Sequence, residues 1–119
     1  MRDDPQAIIN GMTAKNLLLQ EQNRELLKLS EAKAQAERTY NIAVATEVLR
    51  LKSEGNPVTL IPTLVKGTTT VADLKLKLDI ATGVLRACEE SLRDIRTAID
   101  CYRSILSWMK EELVKSGIN

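Results

Sequence analysis

The sequence predicts an all-α protein: a long antiparallel helical hairpin, coiled-coil-like, with a short helical turn segment, assembling into a helical bundle oligomer. Three observations predict it. A strict heptad runs through Leu74, Leu78, Ala81, Leu85, Cys88, Leu92, Ile95, Ile99, Tyr102, Leu106, Met109 and Leu113, in steps of four and three. Glycines and prolines cluster between Gly55 and Gly67, so the chain has one principal break. Finally, 44% of the 119 residues are hydrophobic but only 3% are aromatic, and there is no Phe. Leu, Ile, Val and Ala must do the packing, which suits thin helical layers better than a thick core.

The first helix is expected over about 5–53. Asp3 or Asp4 can cap it, and Pro5 suits its first position. Asn10-Gly11 should weaken the opening turns, so fraying or a bend is expected there. Leu17, Leu18 and Leu19 form an apolar patch, followed by Leu26, Leu27 and Leu29. An alanine-rich section follows, and Tyr40, Val44, Val48 and Leu51 continue the apolar face. Gly55-Asn56-Pro57 ends the helix.

Residues 55–70 form the turn. Val58, Leu60, Ile61, Leu64 and Val65 are too apolar for a solvated loop. They predict a short helix, capped by Thr59, with Pro62 in its first turn and Gly67 closing it. Its apolar side chains would plug the end of the hairpin. Thr70-x-x-Asp73 resembles a capping box and should start the second long helix, over about 71–115. Val84, Ala98 and Ile105 widen its apolar stripe, which argues for three or more helices in contact. Leu76, Ile80, Trp108 and Val114 lie off the seam and are candidate contacts between subunits. The two long helices are expected to form a single domain with little interior of its own. The seam positions Leu74, Leu78, Leu85, Leu92, Ile95, Ile99, Tyr102, Leu106, Met109 and Leu113 are therefore read as an oligomer seam, in a dimer or tetramer.

The inventory of chemical groups argues against catalysis. There is no His, hence neither the commonest general base nor a common zinc ligand. The pairs Glu89/Glu90 and Glu111/Glu112 are adjacent on a helix and point apart, so they form no catalytic dyad. Cys88 and Cys101 are 13 residues apart on one helix, about 20 Å, too far to bridge. Cys88 reads as a small buried hydrophobe and Cys101 as a bystander thiol. No catalytic residue, metal site or cofactor is expected. The formal net charge of +1 gives little pull toward nucleic acid or a membrane surface. No signal peptide or membrane-length apolar run is visible, so a soluble, intracellular protein is expected.

Two sets of residues are candidate binding groups. Lys66, Thr68, Thr69 and Thr70 offer a charge and hydroxyls at the turn, with Arg86 expected as the nearest arginine. Arg86, Arg93, Arg96 and Arg103 fall on two lines of the second helix. They read either as salt-bridged surface, given the interleaved Glu89, Glu90, Asp94 and Asp100, or as a phosphate-binding groove between subunits.

The stretch from about Ala36 to Glu112 carries YNIAVATEVLRLKSEGNPVTLIPTLVKG and then VADLKLKLDIATGVLRACEESL. It resembles small accessory proteins of tailed phages and prophages of Gram-positive bacteria. They share an LRLK-x-EG-x-PVT-x-I-x-x-L-x-KG core followed by a long helix. The likeness covers roughly two thirds of the chain and carries no catalytic signature. It implies a viral protein acting in the cytoplasm of the infected host. On that basis the expected function is a non-catalytic, homo-oligomeric binding protein. Host takeover or anti-defence is the expected role, by sequestering a host protein or a small phosphorylated, nucleotide-like signal. The alternatives are a replication or recombination accessory that binds nucleic acid or a replication protein, and a structural part of the virion.

Overall fold

The computed structural model describes residues 4–117. Among them there are three helices and no strand: α1 (Pro5–Ser53), α2 (Ile61–Gly67) and α3 (Thr69–Lys115). No helix among the described residues is long and apolar enough to cross a membrane. The start of α1 follows from its first residues. The Asp4 carboxylate accepts a hydrogen bond from the Gln6 N–H at 3.3 Å, and Pro5 opens the helix where no N–H is needed. Asp3 lies outside the described residues. At the far end, Gly55 adopts φ +82°. Its N–H reaches Lys52 O at 3.1 Å and the Asn56 N–H reaches Leu51 O at 3.2 Å. That pair of bonds is a Schellman closure, which requires the left-handed residue that glycine supplies. The Asn56 side chain donates a further bond to Leu51 O at 3.0 Å.

Two starting signals expected from the sequence are replaced by others. α2 is preceded by Leu60 rather than capped by Thr59, and no side chain caps it; Pro62 sits in its first turn as expected. α3 begins at Thr69, not after a Thr70/Asp73 capping box. Thr68 is extended (φ −70°, ψ 125°) and serves both helices. Its N–H closes α2 on Val65 O at 3.1 Å, and its carbonyl accepts the Ala72 N–H at 2.8 Å. A one-residue link leaves no room for a longer cap, so Thr70 and Asp73 lie inside α3 and are exposed.

The tertiary contacts divide into two units, one of residues 1–26 with 88–119 and one of residues 27–87. In the first unit the two segments run antiparallel. Cys88 Sγ lies 3.7 Å from both the backbone and the side-chain oxygen of Gln22, and Tyr102 packs over Gly11. Ile8, Cys88, Leu92, Ile95 and Ile99 are buried, and Leu92 is the most enclosed, at 2% exposure. The opposing segment contributes Met12, Lys15, Leu19, Gln22 and Leu26, all half-buried at heptad spacing. In both units α1 of the same chain thus packs along the α3 seam, as a hairpin requires. Leu113 is 47% exposed.

Gly11 does not interrupt α1, which continues through it. The residue is explained by close approach: a Cβ there would lie 2.8 Å from Tyr102 Cζ and 2.9 Å from its hydroxyl oxygen. Gly11→Ala should therefore destabilise the protein, although alanine is the better helix former by about 1 kcal/mol. In a Tyr102→Ala background the same change should instead stabilise by about that 1 kcal/mol. Thermal unfolding of the four proteins checks this; an unchanged sign in the two backgrounds would mean the ring is not what excludes the methyl.

In the second unit Leu51, Ile61, Val65 and Val71 form the core, with Tyr40, Ala43, Val44 and Val48 packed against it. Val71 extends the α3 seam back by one step. α2 is anchored by two residues only. Val58, Leu60 and Leu64 are 73%, 53% and 40% exposed, so most of the apolar turn is displayed rather than used as a plug. The reason is periodicity: Ile61 and Val65 are four apart and share one face of a seven-residue helix, and Leu64 falls beside that face. Val84 is likewise exposed, whereas Ala98 and Ile105 are half-buried.

Candidate functional site

The second unit contains a trough walled on two sides. One wall is the α1 line Tyr40, Val44, Val48 and Lys52, spaced four apart. The other is Val58, Ile61, Pro62, Val65 and Lys66. Its volume is about 370 Å³. The floor is aliphatic and aromatic, and the polar groups that line it are the two lysine ammonium groups and the Tyr40 hydroxyl. Neither Lys52 nor Lys66 is in an ion pair among the described residues. The pairs present are Arg50 with Glu47 and with Glu54, Lys75 with Asp79, and Arg103 with Asp100. Near the Tyr40 end, Lys75 Nζ lies 5.6 Å from the ring centroid, within cation–π range.

Beside the trough, Glu47 ties the helices together. Its side chain is only 12% exposed. Arg50 donates to it from Nε at 3.1 Å and from a terminal nitrogen, and reaches Glu54 at 2.6 Å. The Thr68 hydroxyl lies 3.2 Å from Glu47 Oε1 and 3.0 Å from Leu64 O; its single proton serves one acceptor at a time. The Arg50 hydrogen bonds hold the Glu47 carboxyl below the ordinary value of 4.5, against the opposing effect of burial and with help from Thr68. A carboxylate whose pKa is depressed on folding stabilises the fold above its ordinary value, and that contribution disappears as pH falls through the folded value. Between about pH 5 and about pH 3, wild type should lose thermal stability more steeply than Glu47→Gln. Parallel melting curves across that range would show that Glu47 does not couple folding to pH.

The candidate residues of the turn are partly brought together. Lys66 is exposed on the trough rim. Thr68 is half-buried and committed to Leu64 and Glu47, so it offers no free hydroxyl, whereas Thr69 and Thr70 are exposed in the first turn of α3. Arg86 is not the nearest arginine. It lies sixteen residues along α3 from Thr70, about 24 Å, and the arginine of this end is Arg50. Arg86 and the other three arginines fall in different units. In the first unit Arg96 and Arg103 border a cleft of about 250 Å³ with Asn16, Leu19, Ile99 and Asp100. Asp100 sits 3.7 Å from Arg103 and partly neutralises it. Arg93 is exposed on α3. A further concavity of about 380 Å³ is lined by Ser107, Lys110, Glu111, Val114 and Lys115, all on α3, so it lacks a second wall.

Both cysteines are free, Cys88 buried and Cys101 exposed. Among the described residues no cluster of three or more His, Cys, Asp or Glu side chains is placed to hold a metal. Sequence reasoning missed Lys52 and the trough itself. The signal available was the line Tyr40–Val44–Val48–Lys52, whose constant four-residue step drifts away from the seam position held by Leu51. Comparisons with protein-family models, with curated proteins and with solved structures give no match for this chain.

Proposed function

We propose that this protein is a non-catalytic binding protein that works as a homo-oligomer, and that it captures its partner at the trough of the second unit. The observation that carries this reading is the pairing of an apolar floor with two unpaired lysines, Lys52 and Lys66. An apolar floor with flanking charge is the make-up of a recognition surface. Self-association is supported by the exposed apolar residues left over. Leu76, Ile80 and Val84 in one unit, and Trp108 and Val114 in the other, are 46–65% exposed. On this reading, which takes its setting from the resemblance to phage accessory proteins, the protein is a host-takeover or anti-defence factor in the infected cytoplasm. Its action is sequestration of a host protein or of a small phosphorylated signal.

Native mass spectrometry of the protein recovered from infected cells tests the reading. The expected spectrum is a homo-oligomer carrying a retained partner, which is lost from the Lys52→Glu/Lys66→Glu variant. A bare monomer at micromolar concentration would overturn it.

A further inference from the structure

We infer that the trough of the second unit takes an amphipathic helix with acidic residues flanking its apolar stripe, presented by a partner protein. The inference rests on the trough being the binding site and names what fills it. Three features of the trough select this occupant.

The first is shape. The α1 wall runs from Tyr40 to Lys52, twelve residues or about 18 Å. The facing wall is shorter, since α2 has seven residues, about 10 Å; together the two walls form an open cradle that a helix of about two to three turns fills. A small molecule would lie in it with one side in water, whereas small-ligand sites usually enclose most of the ligand.

The second is the lining. Phosphate recognition uses several converging N–H or O–H donors. Here the lining offers aliphatic groups, one tyrosine and two ammonium groups. The Thr68 hydroxyl, at the end of the turn, is already engaged by Glu47 and Leu64. The nearest guanidinium, Arg50, is held between Glu47 and Glu54. The site therefore rewards apolar side chains along its length and carboxylates at its rims.

The third is charge. Lys52 and Lys66 have no acidic partner among the described residues, and both are exposed. A partner with carboxylates flanking its apolar stripe meets both. A second copy of this chain fits less well. Its exposed apolar residues have mixed neighbours, Leu76 between Lys75 and Lys77 but Ile80 after Asp79 and Leu113 after Glu112, so no single stripe offers carboxylates to both lysines. Val58, 73% exposed, is an open apolar residue of the trough wall.

Selection from a displayed library of random 16-residue peptides on the purified full chain tests this. Wild type should enrich peptides with apolar residues at i, i+3 or i+4, and i+7, flanked by Asp or Glu. Val58→Glu should weaken the selected peptides at least about tenfold in Kd. Lys52→Glu/Lys66→Glu should shift the selection to Lys- or Arg-flanked peptides. All three side chains are exposed, and circular dichroism should show unchanged helix in each variant. Enrichment without an amphipathic pattern, no enrichment at all, or peptides indifferent to Val58→Glu would overturn the inference. So would a lower oligomer mass of Val58→Glu, since that would place a second copy in the trough. A nucleotide retained in native mass spectrometry and lost from the lysine variant would keep the sequestration reading and refute the helical partner.

Discussion

Leu92→Ala is expected to cost about 2–5 kcal/mol, among the largest effects of any single aliphatic truncation in the chain. Leu92 is 2% exposed and lies between the buried Cys88 and Ile95 on the inner face of α3. Truncation removes the transfer energy of the lost atoms and leaves a cavity in a thin two-helix contact. The backbones on either side are continuous helices and cannot collapse into it without moving together. Leu27→Ala, at a residue 72% exposed, should change stability by no more than about 0.5 kcal/mol. Urea unfolding at one fixed protomer concentration compares the two, since association makes stability concentration-dependent. Equal losses would mean that the heptad does not define the interior.

Val65→Asp is expected to cost about 3–5 kcal/mol, the range for an uncompensated buried charge, and to detach α2. Val65 is 5% exposed among Leu51, Ile61 and Val71. A helix of seven residues is far below the length that is stable alone, so it persists only while its two anchors are buried. Its loss removes one wall of the trough but leaves α1 and α3 their own seam. Hydrogen exchange should show the amides of α2 unprotected while those around Leu92 stay slow. Protected α2 amides in Val65→Asp would show that the short helix is held by something other than this core. Leu64→Asp is the control. At 40% exposure, Leu64 can keep a carboxylate in water, so the variant should fold normally.

The legible parts of the fold are those where a local rule had no competitor. The α3 seam is apolar at nearly every step, so its period shows directly. The ends of α1 are marked by Asp4-Pro5 and by Gly55-Asn56. The α1 seam has the same period, but Lys15, Gln22, Lys33 and Glu47 occupy four of its half-buried positions. Long polar side chains lay their stems along the contact and keep their heads in water, so composition hides the pattern. Leu17 and Leu27, which look like core, are 63% and 72% exposed. Gly11 reads as a helix breaker because its reason, the Tyr102 ring, is ninety-one residues away in sequence.

The candidate site divides along the same line. Lys66 was visible as a charge beside a glycine. Lys52 became its counterpart only when α2 folded back beside α1, which set two lysines fourteen residues apart along one trough. Helix positions, the principal break and the α3 seam follow from the sequence by itself, because period, capping and proline chemistry act within a few residues. Tertiary structure alone decided which α1 residues meet the seam, that Thr68 rather than Thr70 joins α2 to α3, and that Arg50 rather than Arg86 stands at the turn. Each of those depends on the register between distant segments, which is selected by the summed packing of a whole face rather than by any local residue.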